Sequence, residues 1–311
     1  MAALIQTASS VLRYRGGAGQ WAWVIHRAAG LGVLAFLLLH IVDIFLVTFG
    51  PGIFNELLFI YKAWPFRILE VALLFGLLYH ALNGLRIIFA DFLPVLAKRS
   101  TARTLFYIQI AITGVLFAIG GIVMLTTAKE EPFGNNLLLS TLVVVGIVAL
   151  PLIVALFFSL APTPTTIGLD RDPSTGNYQD GVDLIVRNRQ RRPMNRVELN
   201  IWLFMRISGF ILVFLALFHF FLMHFIYGVD IIDFKFIVER WTDPVLGLFW
   251  RSYDLALLVF ALVHGMFGVR YVIEDYFHNR TVRFILLAGA VLTEIALIAM
   301  GAFVIFTFNP A

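Results

Sequence analysis

Long apolar runs, separated by shorter polar segments, make up most of this sequence. A helix of about 20 apolar residues is long enough to cross a lipid bilayer. Seven such runs are present, of which the fourth is the least pronounced, and the predicted spans cover residues 22–49, 66–93, 104–128, 137–160, 201–228, 245–274 and 282–308. The pattern predicts an all-α integral membrane protein with about seven transmembrane helices.

The composition agrees with this prediction and limits the chemistry. Hydrophobic residues make up 60% of the 311-residue chain, charged residues make up 14%, and the mean hydropathy is +0.91. The chain contains no cysteine, which excludes disulfides and cysteine-ligated iron–sulfur clusters and leaves imidazole as the expected ligand of a redox metal. Any iron–sulfur cluster must therefore belong to a partner.

The distribution of basic residues predicts the orientation of the spans. Cytoplasmic segments of membrane proteins carry an excess of lysine and arginine. Such residues cluster before the first span and in the connections after the second, fourth and sixth spans. These four segments lie on one side only if residues 137–160 cross the membrane, which predicts a cytoplasmic N-terminus and a C-terminus outside.

One polar motif occurs twice inside the apolar runs. Residues 80–91 (HALNGLRIIFAD) and 264–275 (HGMFGVRYVIED) share the pattern His-x3-Gly-x-Arg-x4-Asp at identical spacing. Upstream, an Arg-x-x-Gly pattern is followed ten residues later by His40 in the first half and by His219 in the second half. The chain is therefore predicted to be a duplication.

The predicted repeats are three-helix units. Residues 1–136 form the first repeat, residues 200–311 form the second, and residues 137–199 supply an extra linking helix and a cytoplasmic linker. Three spans reverse the direction of the chain and the linking helix restores it, so the repeats are expected to be parallel and related by an axis along the membrane normal. Such an axis brings matching helices face to face in a central bundle.

Four histidines occupy matched positions in these repeats. Ionisable residues within a bilayer are costly and usually serve a site in the bundle interior. Pairing His40 with His219 and His80 with His264 gives the arrangement in which a haem iron has two axial imidazoles. We expect two haems, with one haem as the alternative, and a hydrogen bond to a neighbouring helix is the competing explanation for any single histidine. His224 is the alternative to His219.

Small and charged residues accompany the histidines. Four glycines leave room either for a flat macrocycle or for close helix packing. These glycines are Gly30, Gly84, Gly209 and Gly268. Arg27 and Arg206 are either cytoplasmic anchors or groups that neutralise propionates and polarise a quinone carbonyl. Asp91 and Asp275 either assist quinone protonation or form salt bridges with loop arginines or with the arginine of their own motif.

Three segments resemble a known family. VIHRAAG (24–30), HALNGLRIIFAD and HGMFGVRYVIEDYF (264–277) are similar to segments of the cytochrome b membrane-anchor subunits of succinate:quinone oxidoreductase, respiratory complex II. The first two segments resemble the large anchor subunit and the third resembles the small one. The chain looks like a fusion of both anchors, of the dihaem type, and the resemblance covers residues 22–128 and 201–308.

The resemblance implies specific site residues. The implied haem contacts are His80 with His264 for the haem b nearer the cytoplasm, His40 with His219 for the distal haem b, and His26 and Arg206 near the propionates. The implied quinone-contacting residues are Arg27 and Tyr276, with Asp91 and Asp275 nearby. Trp23 departs from the single-haem anchors, which have a small hydroxyl residue at this position.

The resemblance also implies partners and a location. A flavoprotein subunit would oxidise succinate, or reduce fumarate in the reverse direction, and an iron–sulfur subunit would dock on this chain. Electrons would pass to a membrane quinone, with menaquinone expected, in a prokaryotic cytoplasmic (inner) membrane, and no nucleic acid is involved. The alternatives are a cytochrome b anchor of a hydrogenase or formate dehydrogenase and a transporter built of repeats.

Overall fold

The computed structural model of the chain describes residues 18–126 and 195–308. Within these ranges it is helical, without a strand. The eight α-helices described are α1 (Ala18–Phe45), α2 (Pro51–Tyr61), α3 (Trp64–Phe92), α4 (Arg99–Thr126), α5 (Arg196–Phe221), α6 (Phe234–Thr242), α7 (Gly247–Tyr276) and α8 (Arg280–Thr307). A 3-10 turn (Leu46–Phe49) continues α1, and a π-helical turn (Leu222–Tyr227) continues α5.

Six of the described helices are long and apolar enough to cross a membrane, namely α1, α3, α4, α5, α7 and α8. Their ends lie within a few residues of six of the seven predicted spans. The predicted span 137–160 and almost all of the predicted linker lie outside the described residues. The chain is an all-α, multi-pass membrane protein, as the hydrophobic pattern predicts.

Local sequence signals explain where several helices begin. Proline occupies the first turn of both α2 and α3. Backbone N–H groups in the first turn make no hydrogen bond within the helix, so the lack of an N–H group in proline costs nothing there. Asn195 and Asn279 precede α5 and α8, and their side-chain oxygens accept hydrogen bonds from backbone N–H groups in the first turn of each helix. Gly50 adopts φ +92° at the turn into α2, a conformation that favours glycine.

The four helices α1, α3, α5 and α7 form the central bundle, in which α1 packs on α3, α3 on α5, α5 on α7 and α7 on α1. Helix α4 packs on the outside of α3, and helix α8 packs on the outside of α7 and also contacts α1. Each half of the described chain therefore contributes two central helices and one outer helix. In this ring of four helices the matched helices α1 and α5, and α3 and α7, lie diagonally across the bundle.

The short helices α2 and α6 connect spans on one side of the bundle, and the hydrophobic pattern did not predict them. Their residues join the core: Phe54 of α2 and Trp241 of α6 are buried in one cluster with Val47, Leu262 and Val304. A helix of 9 or 11 residues is too short to cross a bilayer, so it does not stand out as a long apolar run. Its burial depends on the helices that it covers.

Candidate functional site

The four matched histidines lie in the central bundle, one on each of its helices. His80 (α3) and His264 (α7) have ring centres 6.3 Å apart, and His40 (α1) and His219 (α5) have ring centres 6.2 Å apart. Because imidazole–metal bonds are about 2 Å long, two imidazoles on opposite sides of one metal ion have ring centres about 6 Å apart. The structure brings both predicted pairs together at a separation that fits one iron atom per pair.

The two pairs lie at different depths in the bundle. Gly30 of α1 lies against the His80 ring, and His40 follows ten residues later on the same helix. Ten residues of α-helix rise by about 15 Å. We call His80 and His264 the upper pair and His40 and His219 the lower pair.

In the upper pair, the surroundings of His80 define its tautomer. Its Nδ1 lies 3.1 Å from the backbone carbonyl oxygen of His26. A carbonyl only accepts, so Nδ1 carries the proton and donates it, which leaves the Nε2 lone pair available to a metal. The His26 ring stacks on His80 with centres 4.0 Å apart and an interplanar angle of 5°. Within the described residues, the buried Nδ1 of His26 has no hydrogen-bond partner.

The other histidine of the upper pair has a different neighbour. Nδ1 of His264 lies 2.9 Å from Oγ of Ser208 on α5, and Ser208 is fully buried. A hydroxyl group both donates and accepts, so this contact alone leaves the tautomer of His264 open. Sequence reasoning did not single out Ser208.

The glycines of the repeated pattern accommodate these imidazoles. A Cβ atom at Gly30 would lie 2.7 Å from Cε1 of His80, and one at Gly209 would lie 3.3 Å from Cε1 of His264. A Cβ at Gly84 would lie 3.6 Å from Cε1 of His26, whereas one at Gly268 has no other group within 4 Å among the described residues. The glycines were expected to leave room either for a flat macrocycle or for close helix packing. Close helix packing fits Gly30 and Gly209, because each lies against the upper-pair histidine of its own half of the chain.

In the lower pair, the His219 ring faces His40 on one side and stacks against Tyr253 with centres 6.5 Å apart. Nδ1 of His219 is buried without a hydrogen-bond partner in the described part of the chain. The alternative ligand, His224, lies in the π-helical turn, stacks on Phe220 at 4.0 Å and has its Nδ1 3.2 Å from the Phe220 carbonyl oxygen. The ring stacking and the hydrogen bond of His224 thus both involve Phe220, four residues earlier on the same segment.

Two ion pairs join the halves of the chain at one end of the bundle, which we call the ion-pair end. Arg27 of α1 binds Asp275 near the end of α7. Arg206 of α5 binds Asp91 near the end of α3 through Nε and Nη2, at 3.0 and 2.8 Å. Both aspartates were expected to form salt bridges or to assist quinone protonation. They form salt bridges, and the partners lie on the opposite half.

A tryptophan covers each of these arginines. The guanidinium carbon of Arg27 lies 4.1 Å from the ring centre of Trp23, and that of Arg206 lies 4.6 Å from the ring centre of Trp202. These are cation–π contacts. Trp202 was missed at the sequence level, although Trp-x3-Arg occurs at matched positions in both halves and could have identified it.

The motif arginines have partners within their own helices. Arg86 donates to Oδ1 of Asn83 at 3.0 and 3.1 Å, and Arg270 donates to Oε1 of Glu274 at 2.7 Å. The motif aspartates therefore pair with Arg27 and Arg206, and the structure describes no ion pair between them and Arg86 or Arg270. Tyr276 is the last residue of α7 and directly follows Asp275, so it also lies at the ion-pair end.

Ion pairs with buried arginines occupy the opposite end of the bundle. Arg67 binds Asp230 at 2.6 Å, and Arg240 binds Asp254 at 3.0 Å. Tyr61 donates to Asp43 at 2.9 Å, and the pKa of Tyr61 is raised by burial and by this carboxylate. Of these contacts, the Arg67–Asp230 ion pair joins the two halves of the chain at this end too, since its residues are 163 positions apart.

The fold and the site together define a multi-pass helical membrane protein with paired histidines in its central bundle. The chain matches the family model of the succinate dehydrogenase/fumarate reductase transmembrane subunit over residues 5–120 and 186–302. This match covers more than half of the chain. The chain therefore belongs to the family of succinate dehydrogenase/fumarate reductase transmembrane subunits.

Two relatives illustrate the similarity. The succinate dehydrogenase 2 membrane subunit SdhC of Mycobacterium tuberculosis is 39% identical over 79 residues, which are 25% of this chain and 58% of that protein. The succinate dehydrogenase hydrophobic membrane anchor subunit of Halobacterium salinarum is 33% identical over 100 residues, which are 32% of this chain and 75% of that protein. The chain thus spans little more than half the length of the first relative in this comparison.

Proposed function

We propose that this chain is the membrane-anchor and cytochrome b subunit of a succinate dehydrogenase or fumarate reductase. It would dock an iron–sulfur subunit that is joined to a flavoprotein subunit, bind haem b and pass electrons to a membrane quinone. Its location would be a prokaryotic cytoplasmic membrane, with the N-terminus and the ion-pair end on the cytoplasmic side. The single observation that carries the proposal beyond family membership is the pair of cross-bundle histidine contacts.

The upper pair and the lower pair would each hold one haem b. Haem and quinone binding are general properties of the family. The ring-centre separations of 6.3 and 6.2 Å suit two axial imidazoles per iron. The tautomer of His80 supports the upper site, because its Nδ1–H donates to the His26 carbonyl oxygen and the Nε2 lone pair can then bind a metal. Haem bound between these histidines would supply one-electron transfer.

The quinone site would lie at the ion-pair end beside Arg27, Asp275 and Tyr276. A quinone carbonyl gains negative charge as electrons arrive, so a guanidinium and a phenol that donate to it stabilise the reduced state more than the oxidised state. Asp275 holds the Arg27 guanidinium at the end of α7. In this role Arg27 and Tyr276 would contact the quinone, and Asp275 would position Arg27 and help to deliver the protons that reduction of a quinone to a quinol consumes.

An asymmetry between the two ion pairs favours this choice of site. Asp275 is followed by Tyr276, whereas the matched Asp91 is followed by Phe92, which has no hydroxyl group. Phe92 instead packs its ring 5.8 Å from Trp202, the tryptophan that covers Arg206. Only the Arg27 side therefore combines a guanidinium with a phenol from the motif, and Arg206 remains the candidate for a propionate contact.

The test of haem ligation uses the intact complex and four single substitutions. His80→Ala and His264→Ala should each remove the same haem and leave the other, and His40→Ala and His219→Ala should do the converse. Haem content from the pyridine haemochrome spectrum and a redox titration distinguish the two sites. Wild-type complex without protohaem would refute the cytochrome assignment, and it would leave family membership unaffected.

The test of the quinone site separates two activities of one complex. Arg27→Leu and Tyr276→Phe should reduce succinate-to-quinone turnover while sparing succinate oxidation by an artificial acceptor that takes electrons from the soluble subunits. Phe92→Tyr, at the matched position of the other half, is the control and should leave quinone turnover unchanged. Normal quinone turnover and inhibitor sensitivity in both variants, with haem content intact, would place the site elsewhere.

A further inference from the structure

The two histidines of the upper pair are held by chemically different groups. Nδ1 of His80 faces a backbone carbonyl oxygen, whereas Nδ1 of His264 faces the hydroxyl oxygen of Ser208 at 2.9 Å. The difference lies in the repeated Arg-x-x-Gly pattern. The residue before the glycine is Ala29 in the first half and Ser208 in the second half.

The hydroxyl group of Ser208 has two ways to meet the imidazole. If Ser208 donated to Nδ1, the proton of neutral His264 would lie on Nε2, and that nitrogen could not bind a metal. If Ser208 accepted from Nδ1–H, Nε2 would keep its lone pair, as it does in His80. Ser208 is fully buried, so water does not compete for this hydrogen bond.

We propose that Ser208 is a positioning residue whose hydroxyl oxygen accepts a hydrogen bond from Nδ1–H of His264 and thereby keeps Nε2 available to the haem iron. This inference rests on the proposed function, because it assumes haem in the upper pair. The hydrogen bond holds the ring of His264 at a defined rotation against Gly209, whose missing Cβ gives the ring its space. Ser208 does for His264 what the His26 carbonyl does for His80.

The hydrogen bond also has an electronic consequence. An acceptor at Nδ1–H makes the imidazole a more basic ligand, and a more basic ligand stabilises the oxidised iron relative to the reduced iron. Removing the acceptor should therefore favour the reduced form of the upper haem. At an ambient potential equal to the wild-type midpoint, the ratio of reduced to oxidised upper haem should rise about three- to tenfold in Ser208→Ala, the effect expected of one neutral hydrogen bond.

The experiment is a redox titration of the intact complex, followed optically and by electron paramagnetic resonance of the low-spin haems. Ser208→Ala is the main variant, and Ser208→Thr against Ser208→Val is the matched pair, since these two differ only in the hydroxyl group. Ala29→Ser is the control, because Nδ1 of His80 already has its acceptor. We expect raised midpoints for the upper haem in the Ala and Val variants, wild-type midpoints in the Thr and Ala29→Ser variants, and an unchanged lower haem.

Two results would overturn the role of Ser208. One is an unchanged midpoint in Ser208→Ala with both haems present, and the other is an equal midpoint in the Thr and Val variants. The Thr and Val comparison decides the question if Ser208→Ala loses the haem. Wild-type complex without haem would overturn the proposed function itself, a result recognisable before any variant is compared.

Discussion

Replacing Gly30 with alanine tests whether the space at this position belongs to the His80 imidazole. The new Cβ would lie 2.7 Å from Cε1 and 2.8 Å from Nδ1 of His80. Carbon contacts are favourable at about 3.5 Å or more, so the ring must recede by most of an ångström. The 3.1 Å hydrogen bond from Nδ1 to the His26 carbonyl would then stretch beyond the hydrogen-bonding range.

The expected cost follows from these contacts. Overpacking of this kind costs about 1–3 kcal/mol, and loss of a neutral hydrogen bond adds about 1 kcal/mol. The gain in helix propensity from glycine to alanine, about 1 kcal/mol, offsets part of this. A net cost of about 1–3 kcal/mol lowers the population with His80 in its ligating position by about 5- to 150-fold, since each 1.4 kcal/mol is about a factor of ten.

Alanine substitutions at two other glycines of the repeated patterns, Gly209 and Gly268, extend this test to a graded series. A Cβ at Gly209 would lie 3.3 Å from Cε1 of His264, a contact that a shift of a few tenths of an ångström relieves, and a Cβ at Gly268 meets nothing within 4 Å in the described residues. Upper-pair haem content, measured by the pyridine haemochrome spectrum of purified complex, should therefore fall most in Gly30→Ala, less in Gly209→Ala and not in Gly268→Ala. Equal haem content in Gly30→Ala and Gly268→Ala would refute the reasoning.

Further predictions concern the lower pair, an ion pair and a helix start. His219→Ala should remove the lower haem from the reduced-minus-oxidised spectrum and His224→Ala should retain it, and the opposite result would assign the ligand to His224. Asp91→Asn should lower the thermal unfolding temperature in detergent by an amount equivalent to no more than about 1 kcal/mol, since its pair with Arg206 is partly exposed, whereas an unchanged temperature would mean that the pair does not contribute. Two backbone N–H groups before α7 donate to Asp243 and lower its pKa below the ordinary value of 3.8. Asp243→Ala should therefore destabilise the protein above that pH, and the difference in stability from wild type should vanish as the pH falls through the lowered pKa. A difference in stability that persists in acid would contradict this.

The sequence by itself determined the membrane class and the number of spans in the described ranges. Apolar length is a local property, and a bilayer imposes nearly the same length on every span, so counting apolar residues was enough. The repeated motif predicted which histidines match, because identical spacing on two helices implies identical depth. Trp202 was also within reach of the same comparison, since Trp-x3-Arg recurs at the matched positions.

Only the tertiary structure decided which groups meet. Arg27 and Asp275 are 248 residues apart, and Arg206 and Asp91 are 115 residues apart, so no local pattern relates them. A transmembrane helix that is apolar around its whole circumference carries little sequence signal of which face turns inward. The rotation of each helix follows from packing against its neighbours, and that rotation selects the partners of the motif aspartates, the contact between Gly30 and His80, and the contact between Ser208 and His264.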